Sequence, residues 1–198
     1  MLEQRIQQQF FESADLQYQS AELLARPLAD AVQAIVAGLT AGGQVFSAGL
    51  GASAMLAQLF AHRMLGRFDR ARPGLSAWAL GQDAPAMSAL AAEGRFDQVL
   101  AREIETLGQP GDLLLLIDAD GEHPALQSAA SAAHGKDMTV IALTGRSGGA
   151  LRGALGETDV LVTIPHDRAA RVLEAQLLAL HCMLDAIDLQ LLGEQDPA

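Results

Sequence analysis

Short apolar runs alternate along this chain with longer segments in which apolar residues recur at helical spacing. The short runs have the composition of strands buried on both faces, and the longer segments predict amphipathic helices. We predict strands at 44–48, 75–80, 113–117, 138–143 and 160–164, and helices at 54–66, 82–91, 96–107, 125–133, 150–155 and 168–192. The alternation predicts an α/β fold: a single domain with a parallel sheet of about five strands between two layers of helices, a three-layer αβα arrangement.

The N-terminal 40 residues carry helical periodicity only, which predicts an N-terminal helical extension. We expect one helix over 2–13 and a second from Ser13, as its N-cap, to about Leu39, with a break near Pro27. The predicted divisions are N-terminal helices at 1–40, an α/β domain at 41–192 and a flexible acidic tail at 193–198. The apolar stripe of the extension must be buried, and the pattern fits burial within one chain and burial between subunits equally well.

Two strands lead into loops with the features of ligand-binding loops. A glycine turn, Gly49-Leu50-Gly51-Ala52-Ser53, follows the first strand, and in it Ser53 can cap a helix or donate to a ligand. The loop Asp118-Ala119-Asp120-Gly121-Glu122-His123 follows the third strand, and Pro124 then fits the first turn of a helix. In open α/β sheets, ligands bind at such carboxyl ends of strands, where free helix N–H groups favour an anion.

Charge and composition narrow the range of partners. The formal net charge is −11 and the pI is about 4.7, so direct binding to nucleic acid is not expected, because that needs a basic face. No apolar run reaches the roughly 20 residues that span a bilayer, and the N-terminus lacks the pattern of a signal peptide. The single cysteine, Cys182, lies in an apolar helical pattern and is expected in the core. We therefore expect a cytoplasmic protein without membrane contact.

Several motifs together resemble one known family. Thr144-Gly145-Arg146-Ser147-Gly148-Gly149 follows a Val-Ile-Ala-Leu strand, and Arg67-Phe68 and Arg72-Pro73 follow the helix after the glycine turn. With these segments, the chain resembles the SIS (sugar isomerase) domain family, in particular its sedoheptulose 7-phosphate (phosphoheptose) isomerases. The resemblance implies a single SIS domain whose ligand loops contain Gly49, Gly51, Ser53, Asp118, Asp120, Gly121, Glu122, His123, Thr144 and Gly145.

The loop after the third strand departs from this family. In the family it is a serine-rich phosphate cradle, and this chain keeps Gly121 but has Asp118, Asp120 and His123 at serine positions. A phosphate charge about 4 Å from a carboxylate is repelled by roughly 4 kcal/mol at an effective dielectric of about 20. Two aspartates would thus cancel the roughly 8 kcal/mol of a micromolar affinity. We expect that sugar phosphates bind poorly and that the carboxylate of Asp120 or Glu122 caps the next helix instead.

The catalytic residues that the resemblance implies are mostly replaced. The isomerases of the family use a Glu as the base, a His as the acid, and an Asp and a Gln that help to hold substrate or metal. These positions fall at Arg63, His181, Ala170 and Leu173, respectively. Arginine keeps its proton in proteins and cannot serve as a general base. His181 is the catalytic candidate that remains, and its apolar surroundings suit a core or interface histidine as well.

A metal site is the alternative interpretation of the acidic loop. Asp118, Asp120, Glu122 and His123 offer ligands for a divalent cation such as zinc. The EF-hand pattern fails, because its twelfth position is Ala129. Helix capping is the preferred interpretation, so we expect no cofactor and no metal.

The chain also resembles a branch of the family that binds the replication initiator DnaA, the DnaA initiator-associating (DiaA) proteins. These are isomerase-like homotetramers that lack the catalytic Glu and end their last helix with an apolar pair before an acidic tail, as Leu191 and Leu192 do here. The resemblance implies a pseudoenzyme, a homotetramer that binds DnaA through Leu191 and Leu192 and so regulates replication initiation. Two alternatives stay open: an active phosphosugar isomerase, and a sensor that binds an uncharged or cationic carbohydrate derivative.

Overall fold

The computed structural model describes residues 1–194, which contain seven α-helices and five β-strands. The helices are α1 (Leu2–Thr40), α2 (Ala52–Leu65), α3 (Ala84–Ala92), α4 (Ala101–Leu107), α5 (Pro124–His134), α6 (Gly149–Ala154) and α7 (Ala169–Leu192), and the strands are β1 (Val45–Gly49), β2 (Ala77–Ala79), β3 (Leu113–Ile117), β4 (Thr139–Thr144) and β5 (Val160–Thr163). A 3-10 turn, Phe96–Gln98, stands where a longer helix was predicted to begin. Residues 195–198 of the predicted acidic tail lie outside the described part of the chain.

The five strands form one parallel sheet in the order β2-β1-β3-β4-β5. Parallel neighbours need a crossover connection, and helices supply it between successive strands. In the register of β1 and β3, Gly49 pairs with Ile117, so the two strands end side by side and the loops after them start together. The α/β fold predicted from the sequence is confirmed.

Helices cover both faces of the sheet, so the side chains of β3 are buried alternately on each face. Leu113, Leu115 and Ile117 belong to a core shared with α1, α2 and α7, whereas Leu114 and Leu116 belong to a second core with α3, α4, α5 and α6. The helices that follow β1 and β3 thus leave the sheet on opposite faces. This divergence opens a crevice between the two loops that precede α2 and α5.

The N-terminal extension is one helix, and the break predicted near Pro27 is wrong. α1 runs through Pro27 without interruption, and Ser13, the predicted cap, lies within it. Proline removes one helical hydrogen bond, but buried residues on both sides of it, such as Leu24 and Ala31, hold the helix against its neighbours α7 and β5. The C-terminal half of α1 is therefore part of the core, and the boundary proposed after residue 40 stays a prediction.

α1 also corrects the expectation that no segment is long and apolar enough to span a membrane. An 18-residue window in it reaches a mean hydropathy of 1.3, and 22% of that window is buried in the single chain. This criterion considers only the length and composition of a helix, and a helix in the core of a globular protein meets it equally well. Packing against α7 accounts for the buried apolar residues, and the exposed ones bear on the oligomeric state proposed below.

A buried ion pair joins the C-terminal ends of α2 and α7. Arg72 Nε lies 2.5 Å from Asp188 Oδ1, and the two side chains are only 1% and 2% exposed. The Arg72 guanidinium also donates to the carbonyl oxygens of Arg63 and Met64, which are free acceptors at the end of α2. We call Arg72 and Asp188 the α2–α7 clamp. The clamp fixes the relative position of the two helices that carry Arg63 and His181.

Candidate functional site

A cavity of about 640 Å³ lies in the crevice between the loops that follow β1 and β3. Successive helices leave the sheet on opposite faces at this point, which is the usual ligand site of open α/β sheets. The walls come from the glycine turn, from residues 118–123, which we call the acidic loop, and from the segment between β2 and α4. The lining residues are Gly49, Leu50, Gly51, Ala54, Gly81, Met87, Phe96, Asp118, Asp120, Glu122 and His123.

The acidic loop turns two carboxylates onto its own backbone. Asp118 Oδ2 accepts a hydrogen bond from Gly121 N at 2.8 Å, and Asp120 Oδ1 accepts one from Glu122 N at 3.0 Å. Burial raises the pKa of Asp118 above its ordinary value, and the nearby Asp120 carboxyl adds to the rise, while the hydrogen bond from Gly121 opposes it. Two backbone donors that would otherwise face a ligand are therefore occupied by the loop itself.

His123 caps α5. Its Nδ1 accepts a hydrogen bond from Ala125 N at 3.1 Å, because the residue directly before Pro124 holds the N-cap position. The predicted capping of this helix by Asp120 or Glu122 is wrong. Asp120 bonds within the loop, and the Glu122 carboxylate lies 3.4 Å from Ala150 N at the start of α6. The loop does satisfy the N-terminus of α5, but with an imidazole nitrogen.

The acidic loop keeps a glycine at position 121 because a second loop packs onto it. A Cβ atom at Gly121 would lie 2.3 Å from the carbonyl oxygen of Gly148, and one at Gly149 would lie 2.4 Å from that of Asp120. Leu151 N donates to Gly121 O at 2.9 Å and ties the start of α6 to the loop. This close backbone contact explains why the glycines follow the family pattern although the serines do not.

The structure divides the predicted ligand-loop residues into two groups. The cavity is lined by Gly49, Gly51, Asp118, Asp120, Glu122 and His123, whereas Ser53, Gly121, Thr144 and Gly145 lie outside its lining. Ser53 and Thr144 are buried, and the Thr144 hydroxyl donates to Gly145 O at 3.2 Å. The N-cap of α2 is Gly51, so the predicted capping by Ser53 is wrong.

Five lining residues were not among the predicted site residues, and two of them, Leu50 and Ala54, lie in or next to the predicted glycine turn. Gly81, Met87 and Phe96 come from the segment between β2 and α4, which carries no polar motif. The ring of Phe96 meets His123 edge to face, with 5.8 Å between the ring centres. Gly81, two residues after the end of β2 at the carboxyl edge of the sheet, was the one signal available.

The positions that correspond to the family's catalytic residues lie outside this cavity. His181 stacks on Phe68, with 5.4 Å between ring centres, on the face covered by α1, α2 and α7. Arg63, at the position of the base, is half-buried in the last turn of α2, and its Nε has no hydrogen-bond partner within residues 1–194. In the single chain, His181 and the acidic loop therefore belong to different surfaces.

Gln176, on α7, has a structural role. The side chain is fully buried, and its Nε2 donates to the carbonyl oxygens of Asp118 at 2.6 Å and Leu143 at 2.9 Å. Its Oε1 is buried without a partner among the described residues. The amide ties α7 to the carboxyl ends of β3 and β4 and so supports the acidic loop from below.

Further predictions concern metal ligands, the cysteine and the apolar pair. Within residues 1–194, no group of three or more His, Cys, Asp or Glu side chains is arranged to hold a metal ion.

Cys182 is exposed, so its predicted place in the core is wrong. Its side chain lines a groove between α1 and α7. Leu192 is 40% exposed, whereas Leu191 packs partly buried against the core. Leu189, one turn earlier, is 44% exposed.

Named proteins and solved structures are similar to this chain over almost its whole length. A phosphoheptose isomerase of Methylibium petroleiphilum is 54% identical over 196 residues, which is 99% of this chain and 98% of the relative. Phosphoheptose isomerase GmhA of Neisseria gonorrhoeae has a TM-score of 0.89 at 37% identity, over 95% of this chain and 99% of that chain. A phosphoheptose isomerase of Francisella tularensis has a TM-score of 0.91 at 35% identity, over 95% and 98%.

The family assignment rests on a domain match as well. Residues 9–145, more than half of the chain, match the SIS domain family. The match includes the glycine turn, the acidic loop and the strand before residue 145, which together build the cavity and its support. The chain is therefore phosphoheptose-isomerase-like, and it belongs to the SIS domain family.

Proposed function

We propose that this SIS-domain protein has lost isomerase chemistry and works as a homo-oligomeric protein-binding factor. The observation that carries the proposal is the charge of the cavity: Asp118, Asp120 and Glu122 line it, and among its described lining residues none is Lys or Arg. A dianionic phosphate needs cations or free backbone donors. The N–H groups of Gly121 and Glu122 in the acidic loop, and of Ala125 in the first turn of α5, are already bonded to side chains.

The position of the base supports the same proposal. Interconversion of a ketose and an aldose needs a group that removes a proton next to the carbonyl. Arg63 stands at that position by resemblance, and its guanidinium stays protonated. His181, at the position of the acid, packs on Phe68 away from the acidic loop.

An active phosphosugar isomerase is the second candidate, and the relatives favour it. The proteins at 54% and 42% identity carry the name phosphoheptose isomerase. For this chain, turnover of sedoheptulose 7-phosphate would require a base other than Arg63 and a phosphate site other than the acidic loop. The third candidate, a sensor of an uncharged or cationic sugar derivative, is compatible with the carboxylates of the cavity.

The homo-oligomer rests on apolar surface that one chain leaves uncovered. A groove of about 390 Å³ between α1 and α7 is lined largely by apolar residues, including Ala25, Leu28 and Leu178. Apolar side chains exposed along α1 are those of Leu2, Ile6, Phe10, Phe11 and Leu23. Exposed apolar surface of this kind marks an interface, and a second copy of the chain is the proposed occupant. The resemblance to the DnaA-associating branch supports four copies.

The proposed contact with a protein partner, such as the replication initiator DnaA, lies at the end of α7. Leu189 and Leu192 are both exposed and stand three residues apart, so they share one face of the helix. Leu191 points toward the core. Arg70 donates to Gly193 O at 2.7 Å and holds this end of the helix in place. The contact therefore uses Leu192 together with Leu189.

Calorimetric titration with sedoheptulose 7-phosphate, with and without zinc, tests the loss of sugar phosphate binding. We expect no heat up to millimolar ligand. Micromolar binding would show that the acidic loop does not exclude phosphate, and turnover that disappears in His181→Ala would establish the isomerase. Binding of an amino sugar, but not of its phosphate, would favour the sensor.

Retention of the protein on immobilised DnaA tests the partner-binding part. We expect retention of the unaltered protein and loss of retention in Leu189→Ser/Leu192→Ser. Leu65→Ser, which replaces an exposed leucine of α2, is the matched control and should be retained. Retention of the double variant would contradict the proposed contact, and sedimentation equilibrium of the same samples shows whether the oligomer is intact.

A further inference from the structure

α2 turns one face to the core that it shares with α1 and α7, and the opposite face to solvent. Along the outward face, Met55, Leu59 and His62 follow one another at i, i+4 and i+7, so they form a single stripe. Met55 is 70% exposed, although methionine is among the residues most often buried. The stripe is apolar over its first two positions, and within residues 1–194 no other element covers it.

The two ends of α2 lie beside groups of opposite charge. The amino end, at Ala54, forms one wall of the cavity, which the exposed carboxylates of Asp120 and Glu122 also line. The carboxyl end carries Arg63, which stands about 13.5 Å further along the helix axis. Arg67 follows two residues after the helix ends. One outward surface therefore runs from an acidic cavity to a basic helix end.

Neither group of charges is neutralised within the described part of the chain. Among residues 1–194, the guanidinium groups of Arg63 and Arg67 form no ion pair with a carboxylate. Arg63 Nε is also buried without a hydrogen-bond partner there. The described lining of the cavity, in turn, holds carboxylates but neither Lys nor Arg. Each end of α2 thus lacks the charge that the other end carries.

An antiparallel pair of α2 helices brings these opposite charges together. A two-fold symmetric interface uses the same patch on both copies, so the patch must be complementary to itself. With the axis beside Leu59, Arg63 of one copy lies opposite Met55 of the other, and Arg67 lies opposite Gly51, which lines the cavity. The same arrangement covers the apolar stripe. A parallel pair would instead place cavity beside cavity, where like charges repel.

We propose that α2 pairs with α2 of a second copy in antiparallel orientation, and that Arg63 and Arg67 of each copy supply the cations that the acidic cavity of the other copy lacks. The inference rests on the homo-oligomer of the proposed function and adds a second contact to the groove between α1 and α7. A tetramer built on two-fold axes needs more than one kind of interface, and α2 provides the second. The cavity is then completed by residues of two copies.

Two charge-reversed variants test the contact by complementation. Arg63→Glu/Arg67→Glu makes both ends of α2 acidic, and Asp120→Lys/Glu122→Lys makes both ends basic. Each variant should associate with itself about 100-fold more weakly than the parent, because every symmetric pair then contains two repulsive contacts. An equimolar mixture of the two should regain association, because an acidic end meets a basic end at both contacts. Sedimentation equilibrium of each variant and of the mixture measures these affinities.

Arg102→Glu/Lys136→Glu is the matched control. It reverses two positive charges on the side of the sheet covered by α4 and α5, and should associate as the parent does. An equal loss in this control, or a mixture that does not regain association, would overturn the contact. Unchanged association of both charge-reversed variants would overturn it too, while the homo-oligomer would stand. A monomeric parent would contradict the homo-oligomer itself and this inference with it.

A cysteine at the proposed axis gives a second readout that does not depend on charge. In a Cys182→Ser background, Leu59→Cys places one thiol of each copy beside the axis, and mild oxidation should join two chains through a disulfide. Ala89→Cys, at an exposed position of α3, is the control and should not cross-link. Cross-linking of both variants to the same extent, or of neither, would contradict antiparallel pairing at Leu59.

Discussion

The acidic loop and the α2–α7 clamp depart from the family pattern in different ways. The acidic loop keeps the backbone frame, with Gly121 packed onto the neighbouring loop, but carries carboxylates at serine positions. Around the clamp, Arg72 is buried with Asp188, and Arg63 stands at the position that the resemblance assigns to the base. Both regions keep the groups that satisfy backbone atoms, and in both the resemblance to the family implies different side chains at positions that would meet a substrate.

This comparison separates the residues that the fold requires from the residues that binding and catalysis would require. Arg72 satisfies carbonyl groups at the end of α2, and Gly121 allows two backbones to approach, so replacing either leaves backbone atoms unsatisfied or in collision. A serine that binds phosphate is not needed to satisfy or separate backbone atoms in the folded chain. Selection for the fold alone would therefore preserve the clamp and the glycines, and would allow the ligand-binding side chains to be substituted.

Breaking the clamp should have the largest effect on stability. Asp188→Leu leaves the buried Arg72 guanidinium without its carboxylate and should lower the free energy of unfolding by about 3–5 kcal/mol. Arg72→Met should cost at least as much, because it also frees two carbonyl groups of α2. Urea unfolding at a fixed protein concentration measures both values, since association shifts the apparent stability.

The double variant and a surface pair serve as controls for the clamp. Arg72→Met/Asp188→Leu should recover part of the loss, because an apolar pair replaces a buried ion pair at little cost. Glu105→Ala breaks a pair whose side chains are 66% and 52% exposed, and should change stability by less than about 1 kcal/mol. If the single clamp variants lost as little stability as Glu105→Ala, the structural explanation for Arg72 would be wrong.

Restoring serines in the acidic loop should have the largest effect on ligand binding. Asp118→Ser/Asp120→Ser removes two negative charges from the cavity wall and frees the N–H groups of Gly121 and Glu122. We expect affinity for a sugar phosphate to rise by about 100-fold or more, equivalent to roughly 2.7 kcal/mol, which is less than the full repulsion because Asp120 is exposed. Calorimetry with sedoheptulose 7-phosphate measures the gain.

A variant with the same change in net charge controls for long-range effects. Glu105→Ser/Glu157→Ser removes two exposed carboxylates outside the cavity and should leave affinity unchanged. Equal gains in both double variants would assign the effect to the net charge of −11 and not to the loop. Without any gain in the loop variant, the exclusion of phosphate must have another cause.

Local pattern predicted the strands and half of the site, and tertiary packing decided the rest. β3 spans the same residues, 113–117, that its apolar run predicts, because burial on both faces leaves no polar position in it. Pro27 predicted a break that the packing of α1 against α7 overrides. Met87 and Phe96 could not be predicted, since their place beside the acidic loop depends on how α3 folds over the second core.

Replacing the cap of α5 should have a moderate effect that is specific to the loop. His123→Ala leaves Ala125 N without its acceptor and should lower the free energy of unfolding by about 1 kcal/mol. His123→Ser, which restores the family residue, keeps an N-cap acceptor and should be close to the parent in stability. Equal losses in both variants would show that the imidazole contributes through its contact with Phe96 instead.

The pH dependence of stability should show the smallest effect and isolates Asp118. The pKa of this carboxyl is raised in the folded chain above its ordinary value of 3.8, chiefly by burial. Between pH 3.8 and the raised pKa, the folded state therefore binds more protons than the unfolded state. Stability contributed by protonated Asp118 is thus present in acid and lost as the pH rises through the raised pKa. Asp118→Asn keeps an acceptor for Gly121 and removes the titration. The difference in unfolding free energy between Asp118→Asn and the parent should therefore grow in favour of the variant from pH 3.8 upward and then level off. If the two stability curves ran parallel with pH, ionising Asp118 in the folded loop would cost no free energy. The contrast between the acidic loop and the buried clamp would then depend on the clamp alone.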